Sequence, residues 1–302
     1  MKNRTKYFGL LVGVAGILFV VGDLARGWDS VIASAAAADL GYLVGGFFLA
    51  ALGMLTIALG WRQCLLALGG RVALGEALRQ YFVGELGKYV PGGVWSVVGR
   101  GELARNSGLS RVSSYGATMV SIAIAYLAAI GTAGLAVLAG GAGSDGSWAL
   151  IILLVPVVLL VLHPRAIRLG IDVVSKIGRR STELDPPSWG TAIRLMLFHV
   201  PAWVAIGAAT WLVSLSLDTG SPELTNILFA AVISWISGLL AVPVPGGIGV
   251  REPVFVALAT SLSTAGVAAA VALTARLLFI LVDVGSALVV AILARRTASR
   301  SV

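Results

Sequence analysis

Long apolar stretches decide what this chain can be. Residues at about 40–60, 113–138 and 192–216 form runs rich in Leu, Ile, Val, Ala, Gly and aromatic side chains, and a further uncharged stretch covers about 224–250. A helix needs about 20 apolar residues to cross the roughly 30 Å hydrocarbon core of a bilayer. Hydrocarbon cannot satisfy backbone N–H and C=O groups, so a spanning segment must be a helix or part of a closed barrel. These runs lack the two-residue alternation of barrel strands. The expected fold is therefore all-α: a polytopic membrane bundle of about six to eight membrane helices, with residues 1–302 as one transmembrane domain. Composition agrees, since 58% of the residues are hydrophobic and only 12% are charged, about half the usual share of charge in a soluble protein.

The remaining helices are placed around those runs. A first helix is expected at about 8–22, after Lys2, Arg4 and Lys6. That start imitates a signal peptide, but the small residues of 33–38 lie beyond Asp23, Arg26 and Asp29, far from the apolar run, so an uncleaved helix is expected. A further helix is expected at about 147–162. The region 253–294 holds either one long tilted helix plus a short one, or two spans.

Basic residues fix an orientation. The net charge is +8, but the bases cluster in alternate loops, the positive-inside pattern, so nucleic acid is not the expected partner. With the N-terminus in the cytoplasm, the 62–111 stretch (Arg62, Arg71, Arg79, Lys88, Arg100, Arg105, Arg111), the 163–189 loop (Arg165, Arg168, Lys176, Arg179, Arg180) and the end of the chain (Arg295, Arg296, Arg300) all fall inside. The loops 140–147 and 218–226 fall outside and hold no base. Both termini are expected in the cytoplasm of a cell carrying the chain in its inner, cytoplasmic membrane. Trp28 and Trp148 are expected at the outer interface, Trp61 and Trp189 at the inner one. Within 163–189, Arg168, Asp172, Lys176 and Arg179/Arg180 form one helical stripe, which suits either a helix lying on anionic lipid or a solvated loop helix. Cys64 is the only cysteine, which excludes a disulfide scaffold.

Two stretches share a pattern. One reads Val90-Pro91-Gly92-Gly93 and reaches Arg100 and Glu102; the other reads Val244-Pro245-Gly246-Gly247 and reaches Arg251 and Glu252. Proline removes a donor and clashes with the preceding turn, and paired glycines add a backbone entropy penalty, so a helix cannot run through either. A broken helix in hydrocarbon is tolerated only where protein or a wet cavity covers it. Its free N–H groups and the next helix dipole favour an anion, and a following arginine adds a forked donor suited to phosphate. If residues 81–99 crossed the membrane, Arg100, Arg105 and Arg111 would lie outside, so a re-entrant hairpin is expected. A second hairpin, three crossings later, would enter from the other side, as in an inverted repeat with halves 1–150 and 151–302; a full span over 224–242 would instead put both motifs on one side. Gly-rich breaks also serve close helix packing.

Arg276 and Asp283 lie inside the last apolar region, seven residues apart and so on one helix face. Charges at that depth face a partner or a wet cavity. Arg276 is a candidate phosphate ligand, Asp283 its counter-ion or a proton carrier; a structural ion pair is the plainer reading. Glu85 and Lys88 precede the first break. The expected substrate-binding set is Glu85, Lys88, Pro91, Gly92, Gly93, Arg100, Pro245, Gly246, Gly247, Arg251, Glu252, Arg276 and Asp283. His199, near Pro201, reads as a packing or hydrogen-bonding residue. There is no metal motif, nucleotide-binding loop or nucleophile–histidine pairing, so neither enzymatic activity nor a cofactor or metal is expected, although Glu102 and Glu252 are candidates for acid–base roles in a head-group enzyme.

The stretch from Gly84 to Gly93, with Arg100 and Arg105-Asn106-Ser107-Gly108, and the stretch from Pro243 to Glu252 resemble the two signatures of the lysylphosphatidylglycerol synthase transmembrane-region family, also described as flippase-like integral membrane proteins. The resemblance covers nearly the whole chain. It implies moving a lipid between leaflets: an anionic phospholipid of the aminoacyl-phosphatidylglycerol type, or a lipid-linked sugar. In two-domain relatives a separate soluble domain makes the aminoacylated lipid. This sequence stops at Val302, soon after its last apolar region, so aminoacyl transfer is not carried over. Expected partners are membrane lipids, a glycosyltransferase or lipid synthase, and further copies of the chain; the alternative role is a non-catalytic membrane partner of such an enzyme.

Overall fold

The structure is a computed structural model, and it describes residues 38–90, 94–140, 156–177, 185–217, 220–241 and 245–298. The expected first helix at 8–22, most of the one at 147–162, Trp28, Trp148, and Pro91, Gly92 and Gly93 lie outside these residues. Among the described residues there are helices and no strands. In chain order they are α1 (Leu40–Ala67), α2 (Leu74–Glu85), a 3-10 turn (Leu86–Tyr89), α3 (Trp95–Asn106), α4 (Arg111–Leu138), α5 (Pro164–Ile177), α6 (Trp189–Leu217), α7 (Leu224–Leu240), a second 3-10 turn (Pro245–Gly247), α8 (Arg251–Leu258) and α9 (Ala265–Ala298). Residues 156–161 are also helical.

Four of these helices, α1, α4, α6 and α9, are long and apolar enough to cross a membrane. Their ends are set by local chemistry. The Asp39 carboxylate accepts the Gly41 N–H at 2.8 Å and Ser110 Oγ accepts the Ser113 N–H at 3.0 Å, satisfying donors that a helix N-terminus leaves open. The α1 and α6 helices pack antiparallel: the Asp39 N–H donates to Ser216 O at 3.2 Å, while at the far end His199 lies against Gly60. Cys64, Val120, Ile124, Val158, Leu162 and Leu195 form one buried cluster. It gathers the C-terminal end of α1 and the N-terminal parts of α4 and α6 at one face of the bundle. That face carries Arg62, Arg71, Arg79, Arg105, Arg111, Arg165, Arg168 and Arg194; it is the basic face. The opposite face carries Asp39 and Glu223.

Two short hairpins fill the space between the spans. In the first, α2 and α3 begin and end at the basic face, where Gln80 Nε2 donates to Ser107 Oγ at 3.1 Å and Arg62 Nε to Val72 O at 3.4 Å. In the second, α7 and α8 begin and end at the opposite face. There Asn226 donates to Leu258 O at 3.1 Å and Thr260 Oγ1 at 3.2 Å and accepts the Ser261 N–H at 3.1 Å. The hairpins thus enter from opposite faces, and their 3-10 turns touch at mid-depth. The 224–242 stretch is not a full span, because α7 stops at Leu240. The region 253–294 takes the long-plus-short form, with a short α8 and a long α9.

One expectation is corrected. Trp61 is not an interfacial residue: it is 1% exposed, because Arg100 sits beside its ring within the bundle. Trp189 does lie at the basic face, with its indole N–H donating to Leu159 O at 3.2 Å. The α5 helix sits at the same face; Arg168 pairs with Asp185 at 3.4 Å and both are exposed, while Arg179 and Arg180 lie outside the described residues.

Candidate functional site

The two hairpin tips and the middle of α9 bring charged side chains together inside the bundle. On the first hairpin, Lys88 Nζ lies 3.4 Å from Glu85 and 2.6 Å from Asp283 of α9. The Tyr89 hydroxyl donates to Asp283 Oδ2 at 2.6 Å. Arg100 sits 3.9 Å from Glu85. On the second hairpin, Glu252 pairs with Arg276 of α9 and accepts the Gly249 N–H at 2.7 Å. Arg251 has no carboxylate within ion-pair distance among the described residues; its guanidinium lies 3.9 Å from the centre of the Trp235 ring. Residues from Glu85 to Asp283 in sequence therefore meet within one charged core, where each isolated charge would be costly.

The expected pairing of Arg276 with Asp283 is corrected. Each has a different partner, Glu252 for Arg276 and Lys88 for Asp283, because each hairpin presents its own charge to a different level of α9. The expected parallel between Glu102 and Glu252 is also corrected. Glu102 lies at the basic face, 2.8 Å from Arg105, 3.7 Å from Arg111 and accepting from the Tyr115 hydroxyl at 2.9 Å. Glu102 stands two positions after Arg100, whereas Glu252 directly follows Arg251, and the extra residue turns the Glu102 carboxylate away from the tip. Pro245, Gly246 and Gly247 do form a break, with φ of 57° at Gly246 and 70° at Gly247, a region closed to most residues but open to glycine.

The repeat is longer than Pro-Gly-Gly with a trailing arginine. Ten residues before the proline stands an aromatic, Tyr81 or Trp235, and seven before it a glycine, Gly84 or Gly238. In each copy the arginine lies over the aromatic ring, Arg100 at 5.3 Å from the Tyr81 ring centre and Arg251 at 3.9 Å from that of Trp235. In each copy the glycine makes room for that arginine. A Cβ on Gly84 would lie 2.5 Å from Arg100 Cγ, and one on Gly238 2.6 Å from Arg251 Cγ and Cδ. Tyr81, Gly84, Tyr89, Trp235 and Gly238 were not among the residues expected from the sequence. Equal spacing of aromatic and glycine ahead of the two prolines is the signal that marks four of them; Tyr89 is marked only by falling within the Gly84–Gly93 signature stretch.

Two small cavities flank this core. One, of about 30 Å³, is lined by Arg251, Glu252, Arg276, Thr210, Ser234 and Trp235 among others. The other, of about 50 Å³, is lined by Glu85, Arg100, Trp61, Tyr126, His199 and Trp235 among others. Trp235 is part of the wall of both. Each has room for a few waters at about 10–15 Å³ apiece, and neither is large enough for a lipid head group. His199 Nδ1 lies 2.7 Å from Leu195 O; a carbonyl only accepts, so this nitrogen carries the proton. Among the described residues no group of three His, Cys, Asp or Glu is placed to hold a metal ion.

Outside the spans, ion pairs fasten the base of the first hairpin. Glu76 accepts from Arg79 at 2.6 and 2.8 Å and from Gln80 at 3.3 Å, and it also takes the Ser107 hydroxyl. The Arg79 guanidinium, with help from these other donors, holds the Glu76 carboxyl below its ordinary range.

No curated protein matches the chain at a significant level. Residues 7–289 match the family described as the Lysylphosphatidylglycerol synthase TM region. That match includes both hairpins, both arginine–aromatic pairs and the α9 charges, and the chain is a multi-pass membrane protein belonging to this family.

Proposed function

We propose that the chain binds the phosphate-bearing head group of a lipid between its two hairpins and moves that lipid from one leaflet to the other. The substrate class is an anionic phospholipid of the aminoacyl-phosphatidylglycerol type or a lipid-linked sugar. The basic face is the cytoplasmic one, in a cell's inner membrane, and the step is transport without chemical change. One observation carries this reading. Arg251 lines a cavity inside the bundle together with Arg276, and no carboxylate among the described residues pairs with it. Two arginines against one glutamate leave one positive charge for an anion, and guanidinium suits a phosphoryl group. Family membership supports the same reading.

The test is leaflet exchange in proteoliposomes, with labelled phosphatidylglycerol, aminoacyl-phosphatidylglycerol and a polyprenyl-phosphate sugar offered in turn. Exchange of one lipid, lost in Arg251→Ala, is the expected result. No exchange of any would refute transport and leave the role of a membrane partner to a glycosyltransferase or lipid synthase.

A further inference from the structure

We propose that Asp283 is a proton-binding site that couples lipid movement to a transmembrane pH difference, one proton entering with each negative charge carried; this rests on the transport reading. Asp283 is 1% exposed, and among the described residues its Oδ1 has no hydrogen-bond partner. Its Oδ2 takes the Tyr89 hydroxyl and the Lys88 ammonium, both at 2.6 Å. Those two residues are the tip of the first hairpin. The Tyr89 ring in turn lies against the second tip, since a Cβ on Gly246 would stand 3.7 Å from Tyr89 Cδ1. One carboxylate therefore ties α9 to the first tip directly and to the second through Tyr89.

The cavities beside this latch are too small for a head group, so a lipid passes only if the tips part from α9. Parting them with Asp283 ionised leaves a carboxylate and an ammonium separated in a medium of low dielectric, at a penalty of several kcal/mol per ion. A proton on Asp283 Oδ1 removes the carboxylate charge, and Lys88 keeps Glu85 at 3.4 Å. The stoichiometry follows from the single site: Asp283 takes one proton per passage, and a singly charged phosphodiester carried with that proton crosses as a neutral pair. With Asp283 ionised, Glu85, Lys88, Arg100 and Asp283 hold two charges of each sign, and the spare positive charge of Arg251 and Arg276 against Glu252 is the one that meets the phosphate.

Glu85 is the other acid in reach, and it stands between two cations, Lys88 at 3.4 Å and Arg100 at 3.9 Å. The groups facing Asp283 are Lys88 and Tyr89 from the first tip and Glu85 and Tyr81 from α2; Arg251 of α8 is near Tyr89. Arg276, on the same helix, is held by Glu252. The proton comes from water on one side of the membrane, resides on Asp283 while the lipid crosses, and leaves to water on the other side; no other bond forms or breaks.

The test uses the full chain in proteoliposomes with labelled phosphatidylglycerol and the other two lipids, an imposed pH difference, and a trapped pH-sensitive dye. In the wild type a one-unit pH difference shifts the distribution of the carried lipid towards the leaflet facing higher pH by up to about tenfold, the ratio that one proton per lipid sets, and the dye reports lipid-dependent proton entry. With phosphatidylglycerol, which carries one negative charge, a potential imposed without a pH difference shifts nothing, because lipid and proton cross together without net charge. Asp283→Asn and the double variant Lys88→Gln/Asp283→Asn lose the shift and the dye signal, and Asp283→Glu regains both, which separates a proton site from a merely structural one. Wild-type exchange that ignores the pH difference overturns the coupling and leaves transport standing, as does an Asp283→Asn protein that still responds. No exchange in the wild type brings down the transport reading and the coupling with it.

Discussion

Adding one methyl group at Gly84 and at Gly238 distinguishes a scaffold role from a positioning role for the two arginine pockets. Both glycines are inside helices, where alanine is favoured over glycine by about 1 kcal/mol. At Gly84 the new Cβ would lie 2.5 Å from Arg100 Cγ, 2.7 Å from Arg100 N and 3.0 Å from Arg100 Cα. Two of those atoms are backbone of the partner helix, so α2 and α3 must separate. Overpacking of that kind costs about 1–3 kcal/mol, and rigid backbone puts Gly84→Ala in the upper part of that range, a net loss of roughly 2 kcal/mol after the helix gain. At Gly238 the close atoms are Arg251 Cγ and Cδ, at 2.6 Å, and no backbone atom lies nearer than Gly247 Cα at 3.5 Å. A side chain can swing aside, so Gly238→Ala keeps wild-type stability to within about 1 kcal/mol. Its Arg251, however, leaves the Trp235 ring and the cavity. Thermal unfolding in detergent, followed by tryptophan fluorescence, should therefore show a lowered midpoint for Gly84→Ala and little change for Gly238→Ala, while lipid exchange falls at least tenfold in Gly238→Ala. A Gly84→Ala protein as stable as the wild type, or a Gly238→Ala protein that exchanges lipid at the wild-type rate, would refute the assignment of these glycines to the arginine pockets.

Three other outcomes follow from the same contacts. Arg276→Met strands Glu252 in the bundle and should destabilise by about 3–5 kcal/mol, whereas Arg276→Met/Glu252→Gln should recover most of that loss, because removing a buried pair together is far milder than removing one partner; denaturation midpoints of the two variants decide it. Asn226→Leu removes three hydrogen bonds that close the base of the second hairpin and should cost about 2–3 kcal/mol, visible as faster amide exchange in α7 and α8. The lowered Glu76 pKa gives stability that is present above the unfolded carboxylate value of about 4.3 and is lost as pH falls through the lower folded value. Glu76→Gln should thus be less stable than the wild type by about 0.5–1 kcal/mol at pH 7, given partial solvent screening, with the two melting curves converging as pH falls through the lowered folded value.

The spans were legible because hydrocarbon leaves a sequence little freedom: α1, α4 and α6 fall within a few residues of the runs at 40–60, 113–138 and 192–216. The hairpins were legible for a different reason. Pro-Gly-Gly announces a break, and the charges beyond the first break forbid a crossing, so entry from the basic face could be argued from Arg100, Arg105 and Arg111 alone. Entry of the second hairpin from the opposite face needed the stop of α7 at Leu240, which no charge marks. Side-chain pairing was the least legible part. Helical spacing placed Arg276 and Asp283 on one face of α9, but a shared face spans two turns, and each charge met a different hairpin. Which hairpin reaches which turn depends on how deep each tip penetrates, a property of packing between helices distant in sequence. The same depth explains why Glu102 is outside the core and Glu252 within it. One extra residue after the arginine moves a carboxylate about 100° around a helix, so Glu102 turns back to Arg105 and Arg111 while Glu252 faces α9. The first hairpin consequently lacks an acid beyond its arginine and takes Asp283 from α9 to neutralise Lys88. That borrowed carboxylate is the point at which the two halves of the site differ in charge, and a cycle that gains and loses a proton there alternately opens and closes a site that fixed charges would hold shut.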